Sequence, residues 1–484
     1  MSSRPKLKYF GTSGIRGRTL IDITPSLAEK MARAYAKVVV SGIPQPHVVI
    51  ARDTRFGAET IESAIIAGLT AAGVSVSRCG TVPTPTLCTY GKYVKADGMI
   101  MITGSHIPPD RIGIIFMEDD GAYVSDYIAF QIEQQFDSFD DNEGLIKPNG
   151  VEELKNIGWI KIVPNIWEVY EDVLESLLDL PFLRSKSLRL IVDSANGTAS
   201  GWFTKYLGDL GMDVTSINDY HSPLSQRLSE PIDDNLERLK FLVANSADLG
   251  IAFDIDADRV TFVTPIKDGV KTVPAQIMGA LILYDLLETG YTGDIVVPIN
   301  TSNLIEDLLN DFKEFPGKIH YCRVGQPGTI ERVKKIPNPL FSFEESAKFY
   351  FLKNGLLWTD GPLMALRVIE LMLRKEKSLA DLIKPLEGRY ITLTRRIQID
   401  DETMDKFRPV MMRKLKEITF KGEKSRIDID GLRVNFDQSW LLMRPSGTEP
   451  KIRIVVDARS KERATELLEI GDTEIHKILD SIKN

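Results

Sequence analysis

Three stretches of this 484-residue chain repeat one local design, and that design restricts the fold more than any other feature. The first runs Val48-Val49-Ile50-Ala51-Arg52-Asp53, then a helical stretch from Ala58 to Ala72, then Gly73 and Val74-Ser75-Val76. The second runs from Leu188 to Val192, through Asp193-Ser194-Ala195-Asn196-Gly197 and a helical stretch to Leu210, then Gly211 and Met212-Asp213-Val214. The third opens at Asp294-Ile295-Val296-Val297-Pro298, passes Asn300-Thr301-Ser302-Asn303 and enters a helical stretch to Phe312. Each is an apolar strand, a polar turn suited to capping and an amphipathic helix, with a glycine before the next strand in the first two. Strands alternating with helices imply parallel sheets joined by right-handed crossovers.

The tail breaks the pattern. Ile391 to Ile399 alternates like a strand, a helix follows through Met411 and Leu415, and strands recur at Ile427-Asp428-Ile429, Leu432-Arg433-Val434 and Ile452 to Val456. A closing helix covers Lys461 to Ile478. The expected fold class is therefore α/β: three related α/β domains and a C-terminal α+β domain. At about 150 residues per domain, the length agrees with this number. The joints fall in Asp137 to Gly150, around Pro265 to Pro274, and at Pro385 to Gly388. This gives expected domains at 1–165, 166–270, 271–387 and 388–484.

Composition narrows the class. An apolar fraction of 43% with 26% charged residues suits a globular chain rather than a disordered one. A net charge of −8 provides no general basic field for nucleic acid. No apolar run approaches the ~20 residues that span a bilayer, so no membrane role is expected. The N-terminus lacks the apolar core of a secretory signal, and Cys79, Cys88 and Cys322 show neither metal-type spacing nor an even count. A cytoplasmic location is the expectation.

Five clusters carry chemistry. Gly11-Thr12-Ser13-Gly14-Ile15-Arg16-Gly17 packs glycines, hydroxyls and an arginine into an anion-binding type of loop. Thr103-Gly104-Ser105-His106-Ile107-Pro108 follows the apolar strand Gly98 to Ile102, which places Ser105 at a strand's carboxyl end, where open α/β sheets bind ligands. A serine beside a histidine is compatible with an activated nucleophile or a phospho-acceptor. Ile107 stands where an α/β-hydrolase elbow has its second glycine.

Asp254-Ile255-Asp256-Ala257-Asp258-Arg259 continues a strand, and alternate residues of an extended segment would aim three carboxylates one way. Their repulsion calls for a cation, and hard oxygen ligands favour Mg²⁺. Arg259 and Pro265 exclude an EF-hand, while Asp-x-Asp after a strand leaves a haloacid-dehalogenase-type phosphatase as a rival. Glu344-Glu345-Ser346-Ala347-Lys348 offers groups suited to sugar hydroxyls. Arg444-Pro445-Ser446-Gly447-Thr448-Glu449-Pro450, between two apolar strands, combines a guanidinium, two hydroxyls and a glycine in a phosphate cradle.

In this order and over essentially the whole length, these motifs resemble the α-D-phosphohexomutase superfamily of phosphoglucomutases and phosphomannomutases. The resemblance implies four domains around a central cleft. It also implies that Ser105 is carried as phosphoserine, and that Ser105, Asp254, Asp256 and Asp258 hold one Mg²⁺ per chain. Arg16 and Arg259 would balance phosphoryl charge. Glu344 and Ser346 would contact the sugar, and Arg444, Ser446, Gly447 and Thr448, with Arg453 behind them, would hold the phosphate not being transferred. The implied reaction interconverts hexose 1- and 6-phosphates of glucose or mannose through a hexose bisphosphate, which also serves to load Ser105.

The chain departs from the family pattern where the sugar is judged. Ile112 and Ile115 replace an asparagine and a lysine after the serine loop, and Ile255 replaces a glycine in the acid loop. Phe343, Ala347 and Lys348 replace two glycines and a histidine around Glu344, and Gln326 and Pro327 follow Val324-Gly325 without a basic residue. Arg111 or Lys348 is expected to supply the missing charge, with His106 assisting proton transfer. Three readings follow: a phosphohexomutase (glucosamine phosphates included), a phosphosugar-binding protein with little turnover, and a metal-dependent phosphatase.

Overall fold

The computed structural model describes residues 7–11, 13–140, 145–146, 151, 153–312, 315–445 and 451–483. They divide into two compact units, one of Met1–Ala275 with Ser346–Leu382 and one of Gln276–Glu345 with Ile383–Asn484.

The first unit holds two sheets. The larger has seven strands in the order Phe10–Gly11, Gly14–Arg18, Arg111–Met117, Gly98–Ile102, His47–Arg52, Ser75–Thr81, Ile160–Ile162. The strands from Gly98–Ile102 onward are parallel to one another, and the helix Ala58–Ala71 crosses between two of them with Gly73 in the left-handed region at φ +86°. Val48, Ile50, Ile100 and Ile102 pack with Ile61, Ile65 and Leu69 of that helix in one buried cluster, each side chain contributing roughly 1.5–3 kcal/mol. The second sheet runs Gly269–Val273, Val260–Ile266, Leu249–Phe253, Arg189–Asp193, Asp213–Ile217, with the last three parallel.

Neither sheet is all-parallel as the alternation suggests. Arg111–Met117 returns antiparallel to Gly98–Ile102, and Val260–Ile266 returns antiparallel to Leu249–Phe253. The cause is the length of the connections. Thr103 to Asp110 and Asp254 to Arg259 are both shorter than the roughly dozen residues a parallel crossover needs. Each short return starts at the carboxyl end of a parallel strand, and each carries one of the reactive clusters. The expected joint around Pro265 to Pro274 is likewise a hairpin, with Phe262 opposite Val273 and Ile266 opposite Gly269.

The second unit contains three parallel strands, ordered Ile319–Cys322, Asp294–Pro298, Pro339–Glu344, and a five-stranded antiparallel sheet. The latter runs Ile391–Gln398, Lys451–Ala458, Ser439–Pro445, Leu432–Phe436, Ser425–Ile427. The helices Asp401–Glu417 and Lys461–Lys483 cover it, setting Phe407, Met411, Leu467 and Ile475 against Val434, Leu441, Ile454 and Val456. Arg433 is wholly buried between these two parts of the unit. Its guanidinium donates to Ile299 O at 3.0 Å, Thr301 O at 3.1 Å and Asn303 Oδ1 at 2.8 Å. Among the described residues, no helix is long and apolar enough to cross a membrane.

Candidate active site

Every residue of the strand Gly98–Ile102 is buried, and the loop it delivers is held almost entirely through its backbone. Ser105 is 1% exposed, with φ at +48°. That region costs a non-glycine residue about 1–3 kcal/mol and persists only where neighbours over-determine it. They do so here. Thr103 Oγ1 accepts the Ser105 N–H at 2.7 Å, and buried Asp53 accepts the Gly104 N–H at 3.0 Å. Arg55 donates from Nη2 to Ser105 O and Ile107 O, both at 2.7 Å, and from Nη1 to Pro108 O at 2.5 Å and Arg111 O at 2.9 Å. The planar guanidinium fork thus takes four carbonyls of one loop, with Asp53 3.4 Å from Arg55 Nε.

Arg55 also explains Gly104. A Cβ added there would lie 2.4 Å from the guanidinium carbon. Gly104→Ala is therefore expected to dislodge Arg55 and lower turnover about tenfold or more. In an Arg55→Ala background the same change is expected to cost little further. Steady-state kinetics on the three variants completes the cycle, and additive losses would disprove the link.

Ser105 Oγ donates to Asp254 Oδ2 at 3.0 Å, and His106 Nδ1 stands 3.4 Å from the same oxygen. Burial, followed by the charges of Arg259, Arg16, Lys348 and Arg55, holds the His106 imidazole far below its usual pKa. It is therefore neutral and keeps a lone pair for a proton. Ile112 and Ile115 are buried members of the sheet, while Arg111 is exposed at the strand's start.

The aspartates do converge, although not as an extended segment. The pairing of Phe253 with Val260 forces Asp254 to Asp258 into a tight turn, in which Ala257 adopts φ +53°. All three carboxylates are buried, each with an oxygen within 4.8 Å of the others. Thr84 Oγ1 donates to Asp256 Oδ2 at 2.9 Å, Lys348 Nζ to Asp258 Oδ2 at 2.6 Å, and the Arg259 N–H to Asp254 Oδ1 at 3.2 Å. Arg259 Nε lies 3.6 Å from Asp254 and 3.8 Å from Asp258. Asp256 Oδ1 and Asp258 Oδ1 find no hydrogen-bond partner among the described residues.

Burial, then mutual repulsion, raises Asp254 well above the usual carboxylate range and pushes Asp256 up to about 7. For Asp258 burial acts upward too, but Lys348 and Arg259 outweigh it and hold the group low. Two unpartnered carboxylate oxygens in a buried triad are costly alone, and a hard divalent cation satisfies them, so the residues fit such an ion. Arg16 faces this cluster from the strand Gly14–Arg18. Burial and the neighbouring Arg259 lower its pKa, and its Nε has no partner among the described residues. Thr12 lies outside the described residues.

Lys348, 5% exposed on the strand Lys348–Tyr350, stands over the Tyr123 ring at 6.0 Å. Ala347 before it has φ +62°, a conformation that suits the glycine of the family pattern, and Ser346 is half-buried.

The second unit carries the remaining candidates. Glu344 ends the strand Pro339–Glu344 and is 7% exposed. Arg444 and Arg453 are direct cross-strand partners on Ser439–Pro445 and Lys451–Ala458. Like charges in that position repel, which suits a pair facing an anion. Asp430 offsets part of the charge: its Oδ2 accepts Arg444 Nε at 2.8 Å and the Val324 N–H at 3.0 Å, joining two candidate substrate loops through one carboxylate. Ser446, Gly447 and Thr448 lie outside the described residues. Arg55, Thr84 and Asp430 were not singled out from the sequence. Asp53-Thr54-Arg55 at the carboxyl end of a strand was the available signal for the first, and no local signal marks the other two.

All four phosphoglucomutase/phosphomannomutase domains are matched along the chain: α/β/α domain I over residues 7–143, α/β/α domain II over 168–267, α/β/α domain III over 274–390 and the C-terminal domain over 398–470. A phosphoglucomutase/phosphomannomutase of Thermococcus kodakarensis is 32% identical over 469 residues, covering 96% of this chain and 97% of the relative. A phosphoglucosamine mutase of Limosilactobacillus reuteri is 30% identical over 491 residues, covering 96% and 98%. The crystal structure of a Burkholderia thailandensis phosphoglucomutase/phosphomannomutase family protein superposes with a TM-score of 0.78 at 21% identity, covering 99% of this chain and 98% of that one.

Proposed function

Because this chain belongs to the phosphoglucomutase/phosphomannomutase family, we propose that it interconverts the 1- and 6-phosphates of a hexose, glucose or mannose, through phospho-Ser105 and a hexose bisphosphate. The observation that carries this reading is the hydrogen bond between Ser105 Oγ and Asp254 within a buried, under-satisfied carboxylate cluster. Ser105 gives its phosphoryl group to a sugar hydroxyl, the bisphosphate turns, and Ser105 takes back the other phosphate. A trace of hexose bisphosphate loads the serine at the outset. Neutral His106 accepts the hydroxyl proton. Arg16 and Arg259 face the phosphoryl oxygens, so catalysis is mainly positioning and electrostatics. Mg²⁺ held by Asp254, Asp256 and Asp258, with an oxygen on Ser105, supplies further positive charge at the phosphoryl group.

Of the two candidates for the missing charge, Lys348 takes the role, since it is buried beside Asp258 while Arg111 is exposed. Glu344 and Ser346 read the sugar. Arg444, Arg453, Ser446, Gly447 and Thr448 bind the phosphate that is not transferred. The domains keep the spans 1–165, 166–270, 271–387 and 388–484, and the cytoplasm remains the proposed location.

The same chemistry on glucosamine phosphates is the second reading, favoured by the relative named a phosphoglucosamine mutase. The test is ³¹P NMR of the protein with Mg²⁺, a trace of hexose bisphosphate and the 1-phosphates of glucose, mannose and glucosamine in turn. A 6-phosphate resonance growing with one sugar identifies the substrate. Growth of free phosphate alone supports a phosphatase, and no change with any sugar supports a binding protein.

A further inference from the structure

We propose that Ser229 is a positioning residue that sets the loop carrying Ser105 against the loop carrying the three aspartates. Its kinetic consequence rests on the mutase reading, whereas the coupling of the two loops rests on geometry alone. Ser229 is 7% exposed. Its hydroxyl donates to the Ser105 carbonyl at 2.6 Å and accepts the Ile255 N–H at 3.0 Å. Ile255 stands between Asp254 and Asp256. One hydroxyl, with its single proton committed, therefore bridges the backbones of both reactive loops.

Ser229 is itself fixed. Arg227 donates from Nη1 to Leu228 O at 2.9 Å and Ser229 O at 3.0 Å. From Nη2 it donates to Phe253 O at 2.6 Å, and from Nε to Asp193 Oδ2 at 2.8 Å. These bonds tie the Ser229 segment to the end of the strand Leu249–Phe253, the one that delivers Asp254.

The division of labour follows from where each donor sits. Arg55 takes four carbonyls of the serine loop and fixes that loop's own shape. It makes no hydrogen bond to the acid loop among those the structure describes. Ser229 reaches the same Ser105 carbonyl from the side of the acid loop. It therefore sets the separation of the Ser105 hydroxyl from the carboxylates, which in-line transfer holds to fractions of an ångström.

The test compares Ser229→Ala and Ser229→Thr with the parent full-length protein. Turnover is measured alongside hydrogen–deuterium exchange of peptides covering residues 103–107 and 254–258, with and without Mg²⁺. In the parent, Mg²⁺ is expected to slow exchange in both peptides. In Ser229→Ala it should slow 254–258 while its effect on 103–107 falls at least about threefold, and kcat should drop about 10- to 100-fold with KM within about threefold. Ser229→Thr, which keeps the hydroxyl, should recover most of both. Val243→Ala, a core truncation in the same sheet's packing, serves as a stability control and should leave the two-loop response intact.

Retention of the Mg²⁺ response at 103–107 in Ser229→Ala would overturn the proposal, as would exchange changes confined to residues 225–231. If the parent turns over no hexose phosphate, the mutase reading fails while the exchange experiment still decides the coupling.

Discussion

Ser105→Ala is expected to abolish hexose-phosphate interconversion, by about four orders of magnitude or more, while leaving the fold in place. The geometry separates these two effects. Thr103, Arg55 and Ser229 all hold backbone groups of residue 105, and none of those bonds involves Oγ. The strained φ of +48° is retained by alanine, so the loop keeps its shape. Only the bond to Asp254 disappears, which costs about 1 kcal/mol of stability. Intact-mass measurement should show a fraction of the parent protein carrying one phosphate, increased by a hexose bisphosphate, and no such fraction in Ser105→Ala. A phosphorylated Ser105→Ala protein, or phosphate release that survives the substitution, would move the nucleophile to Asp254 and favour the phosphatase reading.

The legible part of the site is the part in which chemistry follows an apolar strand directly. Met99-Ile100-Met101-Ile102 announces Ser105, and Ile251-Ala252-Phe253 announces Asp254, because a buried strand must end at the sheet's edge and expose what comes next. Arg55 was not legible as a partner of Ser105. The two are neighbours only because the strands His47–Arg52 and Gly98–Ile102 pair in parallel, with Arg52 opposite Ile102. Ser229 depends on a longer-range relation still, between an irregular segment and two loops. The acid turn shows the limit of periodicity. Strand alternation grouped the correct three aspartates for an incorrect reason, since the antiparallel return at Val260, rather than an extended backbone, brings them together. Mixed sheets were missed for the same cause: helix–strand alternation reports crossovers, while two short returns decide which strands run backward.

Lys348→Met is expected to produce the second large effect, and it separates charge balance from transfer chemistry. In the metal-free protein the Lys348 ammonium is the closest cation to Asp258, at 2.6 Å, in a cluster whose other members are held above their usual pKa by burial. Removing one partner of a buried ion pair costs about 3–5 kcal/mol, because the remaining carboxylate is left uncompensated. The metal-free variant should therefore melt well below the parent. A divalent cation bound by the three aspartates replaces the lost charge, so Mg²⁺ should raise the variant's melting temperature by more than it raises the parent's, and EDTA should reverse the difference. Turnover should nevertheless stay low with saturating Mg²⁺, by about 100-fold, because Lys348 also faces the phosphoryl group from a position that the family pattern gives to a histidine. Arg111→Ala, which changes an exposed side chain, should stay within about twofold of the parent. Unchanged melting of metal-free Lys348→Met would show that the ion pair carries no net stabilisation. Full activity in both variants would remove Lys348 and Arg111 from the mechanism and leave the phosphoryl charge to Arg16 and Arg259.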